Sequence, residues 1–312
     1  MIVLANGKNI VDNGDIPVEL KITPSVICNE IEALIRKTMQ DLNRNGAVVG
    51  LSGGLDSAVA AALAIRSLGK ENVKLVNMPE RDSKRVHRQH ARKLARHFGI
   101  KLKTIRLTPV LRKAGTYKLL PLRFIPTKKL RSLVVKFGKS RLSQDEQNEL
   151  LLNRFKSKSN PWIVKGRAYS YAKHRIRMVT LYQFAEVRNL LVVGAANKTE
   201  WITGTYSKWG VDHCADVMPL IHIYRSQLEQ LVEHLQIPEY IYTKTADPDV
   251  MPGISDKGSL LNSFKIADQI LIRLENGYNK EKLVQEFGFD NVERIMLLKD
   301  HSNHMRESPY HN

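Results

Sequence analysis

The stretch Gly50-Leu51-Ser52-Gly53-Gly54-Leu55-Asp56-Ser57 follows the apolar run Ala47-Val48-Val49 and opens into an alanine-rich segment from Ala58 to Leu68. An apolar strand, a tight glycine turn and a helix start in that order aim free backbone N–H groups and the positive helix end at one point. The expected ligand is the phosphate chain of a nucleotide. No lysine stands in the turn, so it departs from the G-x-x-x-x-G-K-[ST] phosphate loop, and γ-phosphate transfer of the kinase or GTPase kind is disfavoured. What remains is Ser-Gly-Gly-x-Asp-Ser. Its two hydroxyls suit phosphate oxygens, and its carboxylate suits a divalent metal.

Working outward, the pattern alternates. Strands are expected at 47–51, 73–78, 102–107 and 190–194, and helices at 24–42, 56–68, 83–98 and 175–186, with another helix from Lys198. Strands separated by helices of this length predict an α/β fold, a doubly wound parallel sheet with helices on both faces. Ligands in such sheets sit at the carboxyl ends of the strands, where the glycine turn lies. The organisation expected is one domain over 1–312, with an N-terminal arm at 1–23, a basic insertion at 121–165 carrying a helix at 143–155, and a C-terminal helical segment at 262–312.

Composition sets further bounds. With 43% hydrophobic residues in 312, the chain can bury a sizeable core. No apolar run approaches the roughly 20 residues that span a bilayer, and no signal peptide is legible, so a cytoplasmic protein without a membrane partner is expected. Cys28 and Cys214 are the sole cysteines, too few for a disulfide framework or a thiolate metal site. Cys28 is expected in the core. The net charge is +18, and residues 111–177 hold 18 Lys or Arg against Asp145, Glu146 and Glu149, a local +15. Such a block is either a solvated or nucleotide-binding basic loop, or a surface for a polyanion such as nucleic acid, with Phe124, Phe137, Phe155, Trp162, Tyr169 and Tyr171 interspersed to pack or to stack.

The glycine turn resembles that of the PP-loop ATP pyrophosphatases, which cleave ATP between its α and β phosphates. Later stretches narrow the likeness. Val192-Val193-Gly194-Ala195-Ala196-Asn197-Lys198-Thr199-Glu200, Tyr206-Ser207-Lys208-Trp209-Gly210, Asp216-Val217-Met218-Pro219-Leu220, Lys244-Thr245-Ala246-Asp247, Pro252-Gly253-Ile254-Ser255-Asp256 and Arg175-Ile176-Arg177-Met178 are similar, in order, to motifs of the NAD synthetases. The resemblance implies an adenine nucleotide alpha hydrolase-like fold. It also implies a ligase that adenylates the nicotinate carboxylate of deamido-NAD with ATP, releases pyrophosphate, and lets ammonia displace AMP. By motif position it gives ATP binding to Gly50, Leu51, Ser52, Gly53, Gly54, Leu55, Asp56, Ser57, Arg225 and Thr245, and Mg²⁺ to Asp56 and Glu200. Asp56 and Asp212 become the catalytic candidates, and Arg175, Lys208, Asp216 and His304 the substrate-binding ones. A homodimer is implied as well. With about 50 residues ahead of the loop, a fused glutaminase is not expected, so ammonia is free or supplied by a separate glutaminase.

The sequence also departs from that family's pattern. The loop reads Gly210-Val211-Asp212-His213-Cys214-Ala215-Asp216, one residue longer than the family's and without its glycine pair. Tyr171 replaces an asparagine, Lys257 a glutamate and Met305 a lysine, all on the acceptor side. The alternatives are therefore the same adenylation on another carboxylate, or a tRNA-modifying enzyme of the same loop class that binds RNA through the insertion.

Overall fold

The computed structural model describes residues 16–122, 125, 127–142, 152, 155, 160–243 and 263–307. The first helix, α1, spans Pro24–Asp41 and ends where Asn43 adopts a positive φ. Strand β1 (Ala47–Gly50) follows, then α2 (Leu55–Leu68), β2 (Val73–Asn77), α3 (Arg85–His97), β3 (Leu102–Thr104) and α4 (Thr108–Lys113). Helix α5 (Lys128–Ser140) lies in the basic insertion, ahead of the long α6 (Pro161–Glu186) and β4 (Leu191–Val193). The short helices α7 (Lys198–Thr203), α8 (Arg225–Gln230) and α9 (Glu239–Tyr242) come next. Helices α10 (Phe264–Glu275), α11 (Lys280–Phe287), α12 (Phe289–His301) and α13 (Asn303–Arg306) complete the described chain.

The four strands are all parallel, in the order β3-β2-β1-β4. Chain order reverses between β1 and β4, and such a switch point leaves a crevice above the strand ends. Alternation along the strands divides the core. Ala47, Val49, Leu75, Leu191 and Val193 face one side with α1, α2 and α3, while Val48, Val76 and Val192 face the other with α4, α6 and part of the insertion. Helix α2 is buried almost all round, and alanines from Ala58 to Ala64 keep it slim enough to lie between α1 and the sheet. Cys28 is fully buried in the first of these layers. A third cluster joins α10, α11 and α12 to Leu20 of the N-terminal arm and Tyr224.

Two expectations about the insertion need correction. Helix α6 begins at Pro161, not Arg175, because the Asn160 side chain accepts from the Trp162 N–H and Pro161 suits the first turn. The last residues of the 121–165 segment therefore belong to that helix. Helix α5 was not expected, and the helix forecast at 143–155 falls almost wholly outside the described residues, as do residues 1–15 of the arm. Helix α5 docks through charge. Arg131 Nε donates to Asp82 Oδ1 at 2.8 Å, and Lys173 Nζ of α6 donates to Glu80 at 2.9 Å and Asp82 at 3.3 Å, all nearly or fully buried. Tyr117 and Tyr169 donate their hydroxyls to Glu80 and Asp82. Burial works against the Asp82 carboxylate, yet Lys173, Tyr169, Arg81 and Arg131 hold it below the usual range.

Candidate functional site

The glycine turn caps the carboxyl end of β1. The Leu51 N–H donates to Val76 C=O at 2.8 Å and the Asn77 amide donates to Leu51 C=O at 2.7 Å, so the turn leaves the sheet in a fixed direction. Gly53 has φ +86°, and a Cβ there would lie 2.5 Å from the His87 carbonyl of α3, so glycine is required both by conformation and by space. The Ser57 hydroxyl donates to Gly54 C=O at 3.0 Å and stands 2.9 Å from Ser52 Oγ, which also accepts from the Gly54 N–H at 3.2 Å. Two hydroxyls and the first N–H groups of α2 thus converge. Ser52 is exposed and Ser57 buried, so the outer hydroxyl is open to a ligand and the inner one braces it.

Asp56, in the first turn of α2, meets the start of α7. The Asn197 amide donates to Asp56 Oδ1 at 2.8 Å, while Asn197 and Glu200 close a capping box: Glu200 N–H to Asn197 Oδ1 at 3.0 Å, Asn197 N–H to Glu200 Oε2 at 3.3 Å. Two residues far apart in sequence are brought together through Asn197. Burial, then repulsion from Asp56 and Asp212, pushes the Glu200 carboxyl well above its usual range. Arg225, at the first position of α8, donates its backbone N–H to Thr199 Oγ1 at 2.9 Å. Its buried Nη1 has no hydrogen-bond partner among the described residues, and Glu229 approaches Nη2 only to 3.7 Å. A buried cation with an unmade bond, beside a carboxylate pair, is prepared for an anion.

Arg175 reaches the Lys208 carbonyl at 3.3 Å, and Lys208 Nζ donates to the His304 carbonyl at 2.5 Å. Three candidates therefore form one chain across α6, the loop after α7 and α13. Trp209, beside them, holds φ +63°, a strained value for a bulky side chain. Asp216 stands apart in its bonding. Its Oδ2 accepts from the Val192 N–H at 2.8 Å and its Oδ1 from the Tyr182 hydroxyl at 2.9 Å, which secures the bridge from Val217 to β4. Asp212 lies against α6, its Oδ2 2.5 Å from His174 Nδ1. Thr245 and the 252–256 stretch lie outside the described residues. Among the described residues, no group of three or more His, Cys, Asp or Glu is gathered to hold a metal ion alone.

Sequence reading missed several members of this site. Asn197 bridges the two carboxylates, and its Asn-Lys-Thr-Glu context was a legible capping box. Asp268 of α10 is fully buried, accepts from Ser226 N–H at 2.8 Å, Ser226 Oγ at 2.7 Å and Thr199 Oγ1 at 2.5 Å, and so ties α7 and α8 together beneath the site. Trp201, Tyr206 and His213 stack with near-parallel rings 5.2–5.5 Å apart. Burial, then Lys208, lowers the His213 pKa, and burial raises that of Cys214, so His213 and Cys214, 3.8 Å apart, are not an activated thiolate pair.

Comparison with known proteins gives the family and the fold. The family model described as NAD synthase matches residues 27–120 and 143–309, leaving 121–142 unmatched. The chain is 36% identical over 282 residues to NH(3)-dependent NAD(+) synthetase from Coprothermobacter proteolyticus, covering 90% of this chain and 95% of that one. It is also 36% identical over 275 residues to the enzyme of the same name from Thermotoga maritima, with 88% and 94% covered. Among solved structures, NMN synthetase from Francisella tularensis superposes with TM-score 0.67 at 23% identity, covering 94% of this chain and 99% of that one. NH3-dependent NAD synthetase from Campylobacter jejuni superposes with TM-score 0.66 at 22% identity, covering 93% and 100%. At such identities these two speak to the fold.

Proposed function

The chain belongs to the NAD synthase family, and on that premise we propose that it amidates deamido-NAD with ATP and ammonia through the residues just described. A carboxylate resists attack by an amine, so the nicotinate carboxylate first displaces pyrophosphate from the α-phosphate of ATP, giving a mixed anhydride with AMP. Ammonia then attacks the acyl carbon, the bond to AMP breaks, and the amide forms. Ser52, braced by Ser57, receives the phosphates together with the turn from Gly50 through Leu55 and the start of α2. Arg225 supplies a cation where charge grows on the leaving group. Thr245 keeps the ATP contact that its motif suggests.

Asp56 and Glu200 are the residues to hold Mg²⁺. Two carboxylates set beside a phosphate cradle, the Glu200 one pushed well above its usual range by burial and by Asp56, match an ion that takes one or two carboxylates and completes its shell with phosphate oxygens and water. When bound, the ion supplies charge neutralisation at the phosphates. Arg175, Lys208 and His304 face the dinucleotide. Asp216, already bonded to β4 and Tyr182, serves the dinucleotide site by shaping its edge. Asp212 receives ammonia. We assign a cytoplasmic homodimer of single-domain subunits, with ammonia free or drawn from a separate glutaminase.

The observation that carries this reading is the meeting of Ser52, Asp56 and Ser57 with Asn197 and Glu200. The test incubates the protein with ATP, Mg²⁺ and ammonium, with deamido-NAD, with nicotinate mononucleotide, or with neither. Pyrophosphate release and NAD formation that depend on deamido-NAD are expected. A folded, ATP-binding protein that makes no NAD overturns the proposal. Preference for the mononucleotide moves it to another acceptor.

A further inference from the structure

We infer that His174 is a positioning residue that sets the Asp212 carboxylate for ammonia; the inference rests on the role given to Asp212 above. Three contacts meet at His174. The Val211 N–H donates to the His174 carbonyl at 3.2 Å, and His174 Nδ1 stands 2.5 Å from Asp212 Oδ2. A Cβ on Gly210 would come within 2.8 Å of the His174 Cβ. Loop and helix are thus seated on one another at this residue, with the imidazole 14% exposed and the Asp212 side chain 34% exposed.

Asp212 also lies in one of the chain's departures from the family pattern. His174 stands directly before the motif Arg175-Ile176-Arg177-Met178, and the loop that it touches is the one that is longer than the family's and lacks its glycine pair. The imidazole takes over the fixing of a loop whose glycine turn is gone, and it selects Asp212, since Asp216 is bound to β4.

The electrostatics agree. Asp212 is faced by Glu200 from α7 and by His174 and Arg177 from α6. Burial pushes its carboxyl up, but His174, then Arg177, bring it below the usual range, so the group stays ionised beside another acid. With Oδ2 turned to the imidazole, Oδ1 is left for the incoming nitrogen. A fixed anionic oxygen draws ammonium, which gives up a proton to solvent, and then accepts an N–H from the ammonia whose lone pair attacks; a misplacement of about 1 Å in such a group costs up to about 100-fold in rate.

Full-length wild type, H174A and H174N are compared in two assays and by thermal melting. The first assay is deamido-NAD-dependent exchange of labelled pyrophosphate into ATP without ammonium, which reads adenylation alone. The second is the overall reaction, from which KM for ammonium and kcat are obtained. H174A is expected to raise KM for ammonium about tenfold or more, with exchange within about twofold of wild type and Tm little changed. H174N, whose amide can reach toward Asp212, restores most of the loss. In a D212N background, H174A adds nothing further. An unchanged KM for ammonium in both variants overturns the inference. So does a proportional fall of exchange and synthesis, which marks a structural role. Absence of exchange in the wild type overturns the acceptor assignment and this inference with it.

Discussion

Glu200 sits where its charge is opposed, by burial and by Asp56 and Asp212, and its carboxyl is raised well above the ordinary range. A residue placed against its own solvation is a candidate for a functional site, and the capping box it shares with Asn197 fixes where its carboxylate stands. The raised folded-state pKa means that this group's contribution to stability is present below the ordinary carboxylate range and is lost as pH rises through the raised value. Glu200→Gln keeps an acceptor for the Asn197 N–H and removes the charge. The metal-free variant is therefore expected to melt about 2 °C higher than wild type at pH 8, with the gain shrinking toward pH 4, while pyrophosphate release falls about 100-fold. Differential scanning at several pH values, beside the release assay, checks both halves. Equal melting at pH 8 would show that the repulsion is relieved some other way.

At the scale of elements, two buried carboxylate clusters fasten the periphery to the sheet. Lys173 is fully buried between Glu80 and Asp82, and Arg131 brings α5 to Asp82. Lys173→Met leaves buried anions under-neutralised, and a loss of about 3–5 kcal/mol in urea unfolding is expected. Arg131→Ala should instead expose the α5 region to limited proteolysis while pyrophosphate exchange persists. Asp268 is the counterpart under α7 and α8. Burial raises its carboxyl to about 6 despite bonds from Thr199 and Ser226. The wild-type advantage over Asp268→Asn should be largest below pH 4 and decline as pH rises through 6, read as the difference in Tm. Strands β1 and β2 and helices α1 and α2 were legible because their signals are local: an apolar run, a glycine turn, a regular spacing. The same holds for Ser52, Asp56, Ser57 and Glu200, which sit in short motifs. Helix α5 and the first turns of α6 were not legible, because Lys and Arg at buried positions defy the rule that cations face solvent, and their acid partners lie on a distant loop. His174 was hidden for the same reason.

Over the whole molecule, the +18 charge cannot be read as one surface. Part of the basic block is placed inside, since Arg131 and Lys173 are buried against acids, and part joins the loop after α7, where Arg175 meets Lys208. What remains outside still gives a positive field, and both nucleotide substrates are polyanions. Such a field raises encounter rates and is screened over about 8–10 Å at physiological salt. Raising ionic strength from about 0.02 to 0.2 M is therefore expected to lift KM for deamido-NAD several-fold while kcat stays level, with KM for ammonium far less affected. The fold was legible from sequence at this scale, whereas the use of the charge was not, because a count of cations does not say which of them already have partners. The same salt series run on tRNA binding separates the two readings of the insertion. Binding weaker than about 1 μM at physiological salt is the non-specific level expected of any basic surface. Tight, steeply salt-dependent tRNA binding alongside a salt-independent KM would instead assign the outward charge to nucleic acid and leave substrate capture to Arg175, Lys208 and Arg225.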